Sequence, residues 1–253
     1  LFILGARLAQ QARQVLLLDE HHPATHCASH LWGIEPAGDL ADVTSQRMAC
    51  EQAAALASCG VSVLPALDCA AAFDPQYLQP HQVVLIDARL DTGGSLSPLA
   101  RMAGELVVVL RSDPTAITAT YAGIKRLHYA HALKQLRFLL NGVTDPAEAQ
   151  RIAQNMAQVG SRYLGVSLES AGCVRLDSGL AGARRQWQSV VEAFPASPSA
   201  EDLRRIAHDM GQWPWRPATG PQPQQPAHQR NPSAAFSLKP GTAVPLRQRA
   251  AAA

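Results

Sequence analysis

At 253 residues and 27.0 kDa, the chain is long enough for one large α/β domain or two small ones. Only 17% of it is Asp, Glu, Lys or Arg, and its formal charge of +2 excludes a broadly basic nucleic-acid coat and a strongly acidic solvating protein. No apolar run approaches the roughly 18 residues of a spanning helix, and 44 alanines supply much of the 47% apolar content, so the composition reads as a globular protein of the cytoplasm.

Residues 3–12 (ILGARLAQQA) set Leu4, Leu8 and Ala12 on one stripe, which predicts a helix already under way at the first residue, Leu1. QVLLLD at 14–19 is a continuous apolar run closed by a carboxylate, the pattern of a strand buried on both faces. Similar runs recur at VSVLP (61–65), QVVLID (82–87), ELVVVL (105–110), LRFLLN (136–141) and, more weakly, AGCV (171–174). Helical patterns lie between and after them at about 45–58, 115–131, 146–163, 179–193 and 199–210. Strands alternating with helices predict an α/β three-layer sandwich, a mostly parallel sheet with helices on both faces. Ligands in such sheets bind beyond the carboxyl ends of the strands. Asp19, Asp87 and Asn141 are the last residues of three apolar runs, and this places them around one crevice.

Charge divides the chain at residue 212. Residues 212–253 hold eight prolines and five cations (Arg216, Arg230, Lys239, Arg247, Arg249) with no carboxylate, which predicts a disordered basic tail. Residues 1–211 keep 17 basic and 20 acidic side chains, a net charge of −3. The five cysteines (Cys27, Cys50, Cys59, Cys69, Cys173) form no C-x-x-C pair and read as reduced, buried thiols. His21, His22, His26, Cys27 and His30 form the densest cluster of metal-ligating side chains. A helix starting at Pro23 would align His22, His26 and His30 in a way that suits Zn²⁺. Neutral histidines on a surface helix are the commoner outcome of that pattern, and no metal is assigned to it. No G-x-G-x-x-G follows any strand, which argues against a dinucleotide-binding dehydrogenase.

The stretch 105–206 resembles the MinD/ParA-type ATPases, and among them the FlhG/FleN-like regulators of flagellar number and placement. ELVVVLRSDPTAITATYAGIKRL, LRFLLNGV, AEAQRIAQNMAQVGSRYLGVSLESAG and VVEAFPASPSAEDLRRIA follow that family's order and spacing. RLAQQARQVLLLD at 7–19, GVSVLPA at 60–66 and QVVLID at 82–87 extend the resemblance to about four fifths of the chain.

The resemblance implies a P-loop NTPase fold with ATP and Mg²⁺ as cofactors. Asp19 falls at the first Asp of switch I, and His21 stands where the family has a second Asp that helps position the attacking water. Asp87 falls at the Walker B carboxylate that holds Mg²⁺ through water, Asn141 at the adenine-reading Asn, and Asp177 within the family's G-x-I-P-x-D stretch. Asp113-Pro114-Thr115 matches its acidic-Pro-Thr turn. The family's Gly-rich phosphate loop would directly precede Leu1, so residues 1–211 read as the nucleotide-binding domain without its first strand and loop. Ala88-Arg89-Leu90-Asp91 replaces the Gly-rich turn of switch II, and GCVRLD at 172–177 lacks the family's Pro.

Two readings stand. One is an ATP-driven regulatory switch, dimerising with ATP and acting on a flagellar transcription regulator or a signal-recognition-type GTPase. It would work in the cytoplasm or peripherally at the inner face of the membrane, without direct contact to nucleic acid. The other is a non-catalytic adaptor that keeps the fold and partner surfaces without turnover.

Overall fold

The computed structural model describes residues 2–11, 14–21, 27–67 and 83–213. Cys69, His22, His26 and nearly all of the predicted tail (214–253) lie outside the described residues. In chain order the strands are β1 (Val15–Asp19), β2 (Ala55–Leu56), β3 (Val61–Pro65), β4 (Val83–Asp87), β5 (Val107–Arg111), β6 (Gln135–Val143) and β7 (Ser167–Arg175). The helices are α1 (Phe2–Ala9), α2 (Ala28–Trp32), α3 (Leu40–Thr44), α4 (Cys50–Ala53), α5 (Pro114–His131), α6 (Pro146–Val159), α7 (Ser178–Arg185), α8 (Val190–Ala193) and α9 (Pro198–Met210).

The strands form two ladders, β2-β3-β1-β4 and β5-β6-β7, parallel throughout except for the short antiparallel β2. The mostly parallel α/β architecture expected from the apolar runs is therefore present. Alternation along each run sorts its side chains between two faces. Val15 and Leu17 join the core with Leu139, Val174, α1 and α9, whereas Leu16 and Leu18 pack with Leu40, Val43, Leu64, Leu99 and Met102. In the second ladder Leu136, Phe138 and Leu140 turn toward Ile124 of α5 and Ile152 and Met156 of α6. The first of these cores includes residues of both ladders, so α1 and α9 form one layer across them.

Two predicted helices are corrected. The pattern at 45–58 holds α4, β2 and no continuous helix. Asp39 and Asp42 start α3 upstream with a reciprocal capping box, and Ser45 ends it before Gln46 takes a positive φ of 58°. The helix expected over 179–193 is split between α7 and α8, because Trp187 turns left-handed at φ 56° and Ser189 with Glu192 caps a new start. α6 reaches Val159 and continues as a wider-wound π segment, Gly160–Leu164, so the pattern at 146–163 is one continuous stretch.

Candidate functional site

β1 and β4 lie side by side in register, and the last pair of that register is Asp19 with Asp87. The sequence produces this pairing because VLLLD and VVLID are both five-residue strands with the carboxylate last. Asp19 is only 2% exposed. Its Oδ1 accepts the His21 backbone N–H at 2.9 Å, and its Oδ2 accepts the Ala28 N–H at 2.5 Å, which fixes the chain entering α2. A buried carboxylate needs such donors to offset lost hydration.

His21 extends over this pair. Its ring Nδ1 lies 3.2 Å from Asp19 Oδ1 and 3.4 Å from Asp87 Oδ2. An ionised carboxylate only accepts, so Nδ1 carries the proton and donates between the two. Burial pushes the Asp87 carboxyl up, His21 draws it down, and the Asp19 charge pushes it up again. One ligand atom from each of Asp19, His21 and Asp87 falls within 4.8 Å of the others.

Glu20, a neighbour that the sequence patterns do not single out, holds the next loop. It is 5% exposed, and its Oε2 accepts the Arg89 N–H at 3.0 Å while its Oε1 accepts the Ser97 hydroxyl. Its own N–H donates to the Asp87 carbonyl at 3.2 Å. The loop folds back through a Leu90–Leu96 bridge, with the Leu96 N–H donating to His131 Nε2 at 2.9 Å. The segment from Arg89 to Ser97 is thus anchored at both ends. The only sequence signal for Glu20 is a second acid directly after a strand-closing Asp.

The other predicted residues lie apart from the triad. Asn141 is in β6, paired in register with Arg111 and Val174 of the second ladder, and is exposed. The next residue, Gly142, has φ +75° at a register shift that lets the chain leave the ladder. Asp177 caps α7. Its Oδ1 accepts the Gly179 N–H at 2.7 Å, and its Oδ2 accepts the Ser199 N–H at 3.1 Å and hydroxyl at 2.7 Å. The Ser199 hydroxyl is the main reason its carboxyl is held at about 2. Asp113 caps α5 with Pro114 in the first turn, so the acidic-Pro-Thr segment is a helix start. His30 packs edge-on against Trp187, with ring centres 5.7 Å apart. Among the described residues Cys27, Cys50 and Cys59 are buried and Cys173 is half-buried, none of them in a disulfide, and the Cys27 Sγ accepts the His30 N–H at 3.4 Å.

No protein-family model matches the chain. Among curated proteins it is 28% identical over 227 residues to the antiactivator FleN of Pseudomonas aeruginosa, a match covering 83% of this chain and 80% of that protein. The chain is thus similar to FleN over most of its length. Solved structures carry the same fold. MinD of Aquifex aeolicus, a cell division protein, superposes with a TM-score of 0.60 at 15% identity, over 84% of this chain and 90% of that one. The septum site-determining protein MinD of Pyrococcus horikoshii, solved with Mg-ADP, gives a TM-score of 0.55 at 17% identity over 82% and 87%. Among the described residues no helix is long and apolar enough to cross a membrane.

Proposed function

We propose that this FleN-like chain is a nucleotide-dependent regulatory switch controlling flagellar number and placement, with ATP and Mg²⁺ as its ligands. The observation that carries the reading is the register pair Asp19–Asp87 at the carboxyl ends of two parallel strands. The donor set fits Mg²⁺: a hard ion takes carboxylate oxygen and water, and Asp87 offers a carboxylate whose side chain is 26% exposed. In this reading Asp87 holds the ion through water, Asp19 anchors the switch I segment beside the phosphates, and Asn141 hydrogen-bonds the adenine edge. The ion, when bound, screens phosphate charge. Asp177 acts at one remove, by fixing the turn between β7 and α7. Residues 1–211 form the nucleotide-binding domain. By analogy with its relatives, the ATP form dimerises and restrains a flagellar regulator, and a signal-recognition-type GTPase is the other partner considered. The place of action is the cytoplasm or the inner face of the membrane.

One observation favours the adaptor reading. The His21 ring already bridges the two carboxylates that an active switch would turn toward ion and water. Calorimetric titration of the full-length protein with ATP and Mg²⁺ separates the two. The switch reading expects saturable heat with affinity in the range of about 100 µM or tighter, and Asp87→Ala should weaken binding while the protein stays folded. Absence of heat under those conditions would leave the adaptor reading.

A further inference from the structure

The spacing of the triad has a chemical meaning that does not depend on a nucleotide. In a tetrahedral site with metal–ligand bonds of about 2.0–2.1 Å, neighbouring ligand atoms are about 3.3–3.4 Å apart. His21 Nδ1 stands 3.2 Å from Asp19 Oδ1 and 3.4 Å from Asp87 Oδ2. Two edges of the ligand face therefore already have the length that a Zn²⁺-sized ion requires, and all three atoms lie within 4.8 Å. We propose that Asp19, His21 and Asp87 together bind a transition-metal dication of the Zn²⁺ class directly, as a three-ligand site with its fourth position open to solvent.

Three further observations support direct binding. The ligands are held independently of the ion: Asp19 by the Ala28 N–H, and Asp87 by the register of β4 against β1. Outer contacts of this kind orient metal ligands and raise affinity. Exposure falls in the right order, with the His21 side chain at 33%, Asp87 at 26% and Asp19 at 3%, so an ion at the triad meets solvent on the His21 and Asp87 side. The donor set of one nitrogen and two oxygens ranks the ions. Imidazole nitrogen suits Zn²⁺, Co²⁺ and Ni²⁺, whereas Mg²⁺ demands oxygen in octahedral geometry. On binding, the ion takes the place of the Nδ1 proton, which leaves to solvent, and no other bond changes.

The test uses the full-length protein stripped of metal, with Co²⁺ as a spectroscopic probe and Zn²⁺ as competitor, in the absence of nucleotide. The expected result is one equivalent of Co²⁺ with visible absorption bands of tetrahedral strength, displaced by equimolar Zn²⁺ and unaffected by millimolar Mg²⁺. Loss of an outer partner alone costs 10–100-fold in affinity, so His21→Asn should cost about 100-fold or more. His30→Ala, which removes a neighbouring imidazole outside the triad, should leave the spectrum unchanged. Asp87→Asn, altering a part-exposed side chain, repeats the test if His21→Asn does not fold. Lack of a saturable Co²⁺ spectrum in the wild-type protein, unchanged affinity in a folded His21→Asn or Asp87→Asn variant, or displacement by Mg²⁺ would each overturn the proposal. Because ATP is absent throughout, failure here leaves the nucleotide reading standing, and loss of ATP binding leaves the metal site standing.

Discussion

Removing the Asp177 carboxylate is expected to destabilise the protein substantially without touching the triad. The side chain caps α7 through the Gly179 N–H and clamps α9 through both donors of Ser199, a residue with no exposed surface. Losing an Asp N-cap costs about 1 kcal/mol. Orphaning two buried donors costs about 1 kcal/mol each, so Asp177→Ala should lose about 3 kcal/mol. The carboxyl gives a second route to the figure. Its hold at about 2, against an ordinary 3.8, corresponds to roughly 2 kcal/mol, an upper figure for a side chain that solvent partly reaches. For a domain of this size the larger estimate lowers Tm by roughly 6–12 °C. Urea melts of wild type, Asp177→Ala and Asp177→Asn at pH 7 measure it, with the Asn variant retaining part of the cap. The pH sign follows from the lowered carboxyl. The contribution is complete above pH 3.8 and is lost as pH falls toward about 2, so wild type and variant should converge only in strong acid. A loss below about 0.5 kcal/mol at pH 7, within the range of an ordinary surface change, would refute the clamp.

Two further outcomes test other buried charges and thiols. Arg137, 7% exposed, pairs with the Glu105 carboxylate at 3.3 Å and with Glu169 at 2.8 Å, under the Trp213 ring at 4.4 Å. Arg137→Met leaves Glu105 buried without this cation and should cost about 3–5 kcal/mol in a urea melt; a loss under about 1 kcal/mol would show that Glu105 finds water instead. Burial pushes both the Cys50 and Cys59 thiols up to about 11, so iodoacetamide at pH 8 should spare them in the native protein and modify them in urea. Mass spectrometry reads the outcome, and modification of either in the folded protein would show that the core there opens readily.

The fold was legible wherever a run of apolar residues had to be buried on both faces. VLLLD, VVLID and LRFLLN become β1, β4 and the body of β6 because such runs have no other way to leave water. The helices that were misplaced failed for a local reason. Side-chain periodicity across 45–58 and 179–193 does not reveal a backbone turned left-handed at Gln46 or Trp187, nor which Ser or Asp will start a new helix by capping it. The site was half legible. Two strand-closing carboxylates can be read from sequence, but their shared register depends on which strands become neighbours. The position of His21 between them depends on the path taken after β1, which Ala28 and Glu20 help to set.

The offset of each Asp from its strand separates the carboxylates that build the fold from those that carry the proposed site. In the second ladder every strand is followed by an Asp two residues past its end: Asp113 after Arg111, Asp145 after Val143 and Asp177 after Arg175. Each is the N-cap of the next helix, and Pro114 and Pro146 follow the first two. Two residues are what the chain needs to leave the ladder and reach the extended conformation of an N-cap, so these carboxylates are consumed by backbone N–H groups. In β1 and β4 the Asp is the last strand residue itself. At that offset the side chain is still set by the pleat and lies beside its register partner. Asp87 caps no described helix, and Asp19, whose Oδ2 accepts the Ala28 N–H and whose Oδ1 accepts the His21 N–H, still turns Oδ1 to the His21 ring. The same residue type thus does two jobs in one sheet architecture, and the two-residue difference in offset, readable in the sequence once the strand ends are known, decides which.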